Sequence, residues 1–180
     1  MISLTIAKKY AKALLGVGLQ DGNYETLGLD LNKMADLLKE SKELRLALWS
    51  PAFRKPTRKA IGRKIGERLG LAPTTIKFIE LLIQKKRIDL FSEITKVYRD
   101  LGDEVAGRTR ATLVTPMELP SGLVQEIKSQ IESLAGKEVI LSVKRDSSLI
   151  GGFLTRIGNV VYDGSLKAQI AKLRDGLYKE

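Results

Sequence analysis

The chain has 180 residues, of which 43% are hydrophobic and 29% are charged, a composition typical of a soluble globular protein with one domain or two small ones. It contains no cysteine and no histidine, which excludes disulfides, thiolate or imidazole metal sites, and catalysis by either residue type. Acid–base chemistry would fall to Asp, Glu, Lys or Tyr, and a metal could be held only by carboxylates and carbonyls.

The net charge of +10 comes from 31 basic and 21 acidic residues and has two interpretations. It indicates either an acidic partner (nucleic acid, an anionic membrane surface or an acidic protein) or a solvated basic surface. Residues 1–12 carry lysines within an amphipathic pattern, which is unlike a signal peptide. No apolar run approaches the roughly 18 residues that a membrane-spanning helix needs.

The first half of the chain has apolar residues at helical spacing and no strand pattern. The fourth helix is expected to begin after Pro56 and to end at Gly70, and the third ends before Pro51. Because the loops between them are brief, we expect a compact six-helix bundle. The helices are predicted over residues 4–19, 24–39, 42–49, 57–69, 73–86 and 88–105.

The pattern changes near Ala106-Gly107. The rest of the chain has the order strand, helix, three strands, helix, with strands predicted over 109–115 and 138–144. This order predicts an α+β fold overall, with a small C-terminal domain in which two helices cover one face of a mostly antiparallel sheet. We therefore expect two domains, a helical bundle at 1–105 and an α+β domain at 106–180.

The stretch from Asp146 to Ser165 contains several turn signals and no obvious chemistry. Asp146 begins a polar turn, and Gly158-Asn159, between two β-prone runs, predicts a two-residue hairpin. Asp163 is the expected N-cap of the last helix, which Gly164 and Ser165 open.

Gly151-Gly152 lies inside the β-prone run from Leu149 to Ile157. The pair does not fit a phosphate-binding loop, because the spacing is not G-x-G-x-x-G and no helix follows it. The pair is better explained as a bulge or a close approach of a packing helix. Asp146 and Asp163 could form a catalytic carboxylate pair, but each already has a local role in a turn or a cap. We expect no catalytic residue, cofactor or metal.

Residues 64–82 have the outline of a helix-turn-helix, which supports an alternative function in nucleic-acid binding through residues 54–85. Against this alternative, the second helix begins Pro73-Thr74-Thr75-Ile76 and lacks Arg, Asn and Gln in its first half. It is also apolar on two sides, which suits a bundle better than a DNA groove. Seven basic residues precede or line the motif: Arg54, Lys55, Arg58, Lys59, Arg63, Lys64 and Arg68.

The predicted helices at 4–19 and 73–86 have apolar arcs wider than one buried face requires. Both could be central in the bundle, but a bundle of about 100 residues has room for few fully enclosed helices. Exposed apolar side chains on both would need a partner to cover them. A groove between them would accept an amphipathic helix of another protein, although the sequence does not show that the two are neighbours.

Two motifs resemble a known family. I-A-K-K-Y-A-K-A-L at residues 6–14 is similar to the N-terminal motif of the delta subunit of bacterial F-type ATP synthases, whose mitochondrial counterpart is the oligomycin-sensitivity-conferring protein. D-S-S-L-I-G-G-F-L-T-R-I-G at 146–158, followed by V-Y-D-G-S at 161–165, resembles the C-terminal signature of the same family. The motifs lie in the family's order and spacing, so the resemblance covers essentially the whole chain.

The resemblance implies a non-catalytic stator subunit at the top of the peripheral stalk. It links the catalytic head to the stalk, so that rotor torque drives ATP synthesis coupled to proton transport. It implies that the N-terminal domain holds the N-terminal helix of an alpha subunit between its first and fifth helices, and that the C-terminal domain holds the C-terminal ends of b-type stalk subunits. No nucleic acid is expected, and the protein would lie on the cytoplasmic face of the bacterial plasma membrane through the complex alone.

The resemblance places Tyr10 and Ala13 on the first helix of the groove and Leu81 on the fifth. Helical spacing adds four candidate groove residues, Ile6, Val17, Phe78 and Leu82. The structural signature comprises Asp146, Gly151, Gly152, Gly158, Asp163, Gly164 and Ser165.

The chain departs from the family pattern after the fifth helix. Many relatives have Asn-Lys-Arg or Asn-Gly-Arg there, whereas this chain has Lys85-Lys86-Arg87, and its net charge is high for a bacterial member. We therefore hypothesise that the partner surfaces are unusually acidic or that charge assists capture.

Overall fold

The computed structural model of the chain describes residues 2–50, 52–158 and 160–177. Within these residues the chain forms eight α-helices, one short 3-10 helix and four strands, an α+β fold. It divides into two compact units, one up to Gly102 and one from Asp103 onwards.

The first unit is helical. Its core is a cluster of buried apolar side chains, among them Leu27, Leu31, Met34, Ile79 and Ile94. The observed helices agree with the predicted ones to within a few residues, except that the last apolar run begins as a 3-10 turn. Their bounds are α1 Ile2–Gln20, α2 Tyr24–Glu40, α3 Lys42–Trp49, α4 Lys55–Arg68, α5 Pro73–Gln84, the 3-10 helix η1 Ile88–Leu90, and α6 Phe91–Val105.

Helix α4 approaches α5 most closely at two glycines. A Cβ atom at Gly66 would lie 2.7 Å from the Ile76 side chain of α5, and one at Gly62 would lie 3.0 Å from Ile83. Distances this short show that the two helices approach closely where α4 has no side chain. The apolar residues of α4 at helical spacing are half-buried and pack against the core of the unit: Ile61, Ile65 and Leu69.

The second unit contains a four-stranded mixed sheet in the order β2-β1-β3-β4. One face of β1 is buried, with Ala111, Leu113 and Thr115 alternating with more exposed residues. Ile131 of α7 packs with Ala111 and Val139 in the small core of this unit. The element bounds are β1 Arg108–Thr115, α7 Ser121–Ala135, β2 Glu138–Arg145, β3 Leu154–Ile157, β4 Val160–Asp163 and α8 Leu166–Leu177.

The expectation of a mostly antiparallel sheet needs correction. β1 pairs with β2 in parallel along its whole length, from Arg108 opposite Glu138 to Thr115 opposite Arg145. The pairings of β1 with β3 and of β3 with β4 are antiparallel. The physical reason is that α7 lies between β1 and β2 in the chain, and a helical crossover returns the second strand in the same direction as the first.

The strand predicted from Leu149 is shorter than expected, because it begins only at Leu154. The residues before it, including Gly151 and Gly152, form bends. The hairpin prediction is confirmed in its length, since Ile157 pairs with Val160 across two connecting residues. Gly158 adopts a left-handed φ of 56°, and Asn159 lies outside the described residues.

The boundary between the units falls inside α6, slightly before the predicted position at 106. Asp103, in the last turn of α6, is buried, and its carboxylate accepts hydrogen bonds from the guanidinium of Arg110 in β1. Arg108 also lies close, with its Nε 3.9 Å from Asp103 Oδ1. These contacts join the end of α6 to the first strand.

Candidate functional site

Helices α1 and α5, the two with over-wide apolar arcs, are neighbours. The rings of Tyr10 and Phe78 meet edge to face, with their centroids 6.4 Å apart and their planes at 68°. An aromatic pair in this geometry attracts through the positive edge of one ring and the negative face of the other. The sequence left open whether the two helices touch, and this contact answers that question.

Helix α1 presents two apolar stripes in different directions. At about 100° per residue, Ala7, Ala11 and Leu14 share one face, and these residues are buried in the core. The second stripe is displaced by roughly a quarter turn and is less buried: Ile6 and Tyr10 are half-buried, whereas Ala13 and Val17 are exposed. The second stripe therefore remains accessible beside the Tyr10–Phe78 contact.

On α5 the candidate residues divide between the core and the surface. Leu81 is 40% exposed, and Phe78 is mostly buried beneath Tyr10. Leu82 is fully buried at 0% exposure, so its inclusion as a groove residue is wrong. Leu82 follows Phe78 by four residues and is turned further toward the core. The α1/α5 groove is defined here as the surface formed by Ile6, Tyr10, Ala13, Val17 and Leu81, with Phe78 buried at its base against Tyr10.

The other flank of α5 is occupied by α4. Lys59 Nζ donates to Gln84 Oε1 at 2.8 Å, and Arg63 lies 2.7 Å from the Glu80 carboxylate. Since the α4 number rises as the α5 number falls, the two helices run antiparallel. Gly62 and Gly66 of α4 also lie against Ile83 and Ile76, so this flank of α5 is packed rather than presented as that of a recognition helix. Nothing in the geometry supports the nucleic-acid alternative.

The glycines of the C-terminal signature permit a close backbone approach in the second unit. A Cβ atom at Gly152, which has a φ of 76°, would lie 2.4 Å from the carbonyl oxygen of Gly164. Gly164 N–H donates to Phe153 O, and Leu166 N–H donates to Gly151 O, both at 3.0 Å. The structural interpretation of the pair is therefore confirmed, although the approach occurs in a loop and not within a strand.

The polar residues of the signature serve local structure. Asp146 Oδ1 accepts from Ser148 N–H at 2.9 Å, and hydrogen bonds from the Ser148 hydroxyl and backbone hold the Asp146 pKa below its usual value. Asp163 is not the N-cap of α8. Its Oδ1 accepts from Ser165 N–H at 2.9 Å, while Ser165 Oγ accepts from Ala168 N–H at 3.2 Å and caps the helix.

The second unit also exposes apolar side chains beside this loop. Leu166 Cδ1 would lie 2.6 Å from a Cβ at Gly151, so the start of α8 is packed on the loop. Ile150 is 84% exposed, and Ile170, one turn beyond Leu166, is 64% exposed. We call Ile150, Phe153, Leu166 and Ile170 the α8 patch. Leu166 and Ile170 lie at helical spacing, but spacing alone does not show that their side chains remain exposed.

Two observations concern metal ions and membranes, and both apply to residues 2–50, 52–158 and 160–177. No three or more acidic, histidine or cysteine residues in these ranges are grouped so as to hold a metal ion. No helix in them has the length and apolarity to cross a bilayer.

The fold has a counterpart among solved structures. The chain matches a chain in the cryo-EM structure of the Toxoplasma gondii mitochondrial ATP synthase hexamer with a TM-score of 0.74 and 24% identity, covering 96% of this chain and 97% of that one. The family model for the ATP synthase delta (OSCP) subunit matches residues 6–177, so the chain belongs to this family.

Bacterial relatives match the sequence over nearly its full length. The "ATP synthase subunit delta" of Desulfatibacillum aliphaticivorans is 36% identical over 177 residues, covering 98% of this chain and 97% of the relative. The protein of the same name from Syntrophobacter fumaroxidans is 38% identical with the same coverage. The chain is thus a subunit of the peripheral stalk of an F-type ATP synthase and is not itself catalytic.

Proposed function

We propose that the α1/α5 groove holds the N-terminal amphipathic helix of an alpha subunit of the catalytic head. The observation that carries this proposal is the contact of Tyr10 with Phe78, which joins one residue of each apolar stripe. Val17 and Leu81 are 42% and 40% exposed, so burial of these side chains would stabilise a docked helix. An apolar groove between two helices is a common binding mode for an amphipathic helix.

Binding in this groove has a mechanical purpose. The head must not turn with the rotor, so its attachment has to resist torque without any bond chemistry. We propose that the N-terminal domain at residues 1–105 grips the head and that the C-terminal domain at 106–180 grips the C-terminal ends of the b-type stalk proteins. Membrane association then occurs only through the complex, at the cytoplasmic face of the bacterial plasma membrane.

We propose that the α8 patch is the binding site for the b-type stalk proteins. Gly151 lies against Leu166 and Gly164 lies against Phe153, so the loop and the start of α8 bring exposed apolar residues near one another. A group of exposed apolar residues is characteristic of an interaction site, whereas single exposed residues are ordinary. Leu134 of α7 is 83% exposed but is not one of the patch residues, so it serves as a control position.

The groove is tested with the full-length chain and a labelled peptide from the alpha N-terminus. Ala13→Asp places a charge in the apolar stripe, and we expect it to weaken binding at least about tenfold, because burying an unpaired carboxylate is costly. Ala60→Asp makes the same change at an exposed position of α4 outside the groove, and it should leave affinity unchanged. Equal affinities for the two variants would refute the groove assignment.

The α8 patch is tested separately with a peptide from the C-terminal end of a b-type stalk protein. Ile150→Asp should weaken binding, while Leu134→Asp, at an equally exposed apolar residue, should not. Neither substitution removes a buried side chain, so both variants are expected to fold. If Leu134→Asp has the larger effect, the stalk contact lies on α7 instead.

A further inference from the structure

We infer that the helix bound in the α1/α5 groove carries acidic side chains at one end, and that Lys85, Lys86 and Arg87 bind them. The inference rests on the proposed function of the groove and adds the charge pattern of the partner. At the end of α5 a lysine occupies a backbone conformation that glycines adopt elsewhere in the described residues.

Lys86 has a φ of 57° and is the one non-glycine residue with positive φ within residues 2–50, 52–158 and 160–177. It directly follows the C-cap Lys85, and the end of α5 is closed by hydrogen bonds from Lys86 N–H to Ile83 O and from Arg87 N–H to Leu82 O. This position usually holds glycine, because a Cβ atom makes left-handed backbone unfavourable. The chain does place glycine after α4, at Gly70, and after α7, at Gly136, each with positive φ.

A lysine in a strained position indicates that its charge has a use. All three residues of Lys85-Lys86-Arg87 are exposed, and Asp89 is the one acidic residue in the sequence from 81 to 92. Lys59 lies beside the end of α5 through its 2.8 Å bond to Gln84 and adds a further cation there. The nearest acid on α5, Glu80, is already paired with Arg63 at 2.7 Å.

The cations are continuous with the groove. Phe78, Leu81 and Lys85 are spaced by three and four residues, so they share one flank of α5. The apolar flank therefore ends in a positive charge, with Lys86 and Arg87 immediately beyond it. An amphipathic helix with acidic residues at the corresponding end would match the groove in both polarity and charge.

A docked protein helix explains these features better than nucleic acid or a membrane. Arg58 of the basic stretch is buried and Arg63 is paired, so the stretch does not form a uniform cationic face. The exposed cations instead lie at the end of an apolar groove that is bounded by two helices. Neither a duplex nor a lipid headgroup requires such an apolar surface.

The experiment uses the full-length chain and a peptide of roughly 20 residues from the alpha N-terminus, together with a version whose Asp and Glu are changed to Asn and Gln. Lys86→Gly should raise the Tm, because it relieves backbone strain, yet weaken peptide binding about two- to fivefold at low salt. The triple variant K85Q/K86G/R87Q should bind the peptide at least about tenfold more weakly, and its affinity should lose most of its dependence on salt. K64Q/R68Q, which removes two exposed cations from α4, should bind as the unchanged chain does.

The neutralised peptide should bind the unchanged chain as weakly as the native peptide binds the triple variant. The inference fails if the triple variant binds the native peptide normally while Ala13→Asp abolishes binding, and the groove then stands without it. Failure of Ala13→Asp to weaken binding would instead overturn the groove assignment. Loss of duplex DNA or anionic vesicle binding by the triple variant, with peptide binding intact, would also overturn the inference.

Discussion

The carboxylate of Asp30, in α2, accepts a hydrogen bond at 3.0 Å from the hydroxyl of Thr75, in the first turn of α5. The same oxygen accepts from the backbone N–H of Ala72 at 2.7 Å, and Ala72 has no polar side chain with which to cap the helix. Asp30 thus caps α5 from a different helix. Because α5 carries Phe78 and Leu81, this buried contact helps to fix one wall of the proposed groove.

Replacing Asp30 with alanine should destabilise the helical unit. The change leaves the Ala72 N–H and the Thr75 hydroxyl without their acceptor, and we expect a loss of about 3 kcal/mol in the free energy of unfolding. Asp30→Asn keeps an acceptor oxygen and should lose only about 1 kcal/mol. Urea unfolding followed by the fluorescence of Trp49 measures both, and equal losses would show that the hydrogen bonds contribute little.

A pair of glycines should separate backbone strain from steric conflict in the second unit. Gly136→Ala introduces a Cβ at a φ of 62° with no atom within 4 Å, so it should cost about 1 kcal/mol. Gly152→Ala adds a conflict with the backbone of Gly164 to a similar strain and should cost about 3 kcal/mol or more. Calorimetric unfolding compares them, and similar costs would argue against a tight approach at Gly152.

The phenol of Tyr98 should make stability depend on pH in the alkaline range. Burial, together with the nearby Tyr24, raises the pKa of Tyr98 from 10.0 to about 12, and its hydroxyl donates to Tyr24 O at 2.9 Å. The raised pKa means that the fold favours the neutral phenol. The associated stability is therefore complete below pH 10 and is lost as the pH rises from 10 to about 12.

The comparison with Tyr98→Phe isolates this effect from the titration of other residues. At neutral pH the unchanged chain should be more stable by about 1 kcal/mol, through the hydrogen bond. Above about pH 10 this advantage should shrink and then reverse, with a total change of up to roughly 2–3 kcal/mol by about pH 12. Unfolding free energies of both chains between about pH 7 and pH 11.5 test this, and parallel curves would contradict it.

Sequence periodicity was sufficient to predict the structure where a residue's neighbours lie in its own helix or strand. It found the helices of the first unit and the two stripes of α1, since both follow from the roughly 3.6-residue repeat. It could not separate Leu82 from Phe78, because the same repeat puts them close together, and only the packed structure shows that Phe78 lies against Tyr10 while Leu82 is fully enclosed. The contact of Tyr10 with Phe78 is a tertiary contact, which no local sequence pattern predicts.

The errors in the second unit have similar physical causes. Asp163 and Ser165 are both good capping residues, and only the backbone path shows that Ser165 caps α8 while Asp163 forms the preceding turn. Gly151 and Gly152 lie among β-prone residues, but the contact with Gly164 and Leu166 bends the chain away from the sheet. In each case a long-range approach overrides a local preference.

The last prediction concerns the joint between α6 and β1. The carboxylate of Asp103 is buried and engages Arg110 through two of its nitrogens, and Arg108 lies beside it. Asp103→Ala leaves these cations without their common acceptor, and we expect a loss of about 2–3 kcal/mol in the stability of the second unit. Arg110→Ala should lose less, because Arg110 is partly exposed and Asp103 keeps Arg108 as a partner. A double-mutant cycle measured by calorimetry should give a coupling of about 1–2 kcal/mol, above the value for an exposed pair. A coupling near zero would mean that Asp103 is held by other contacts and that the joint does not depend on this ion pair.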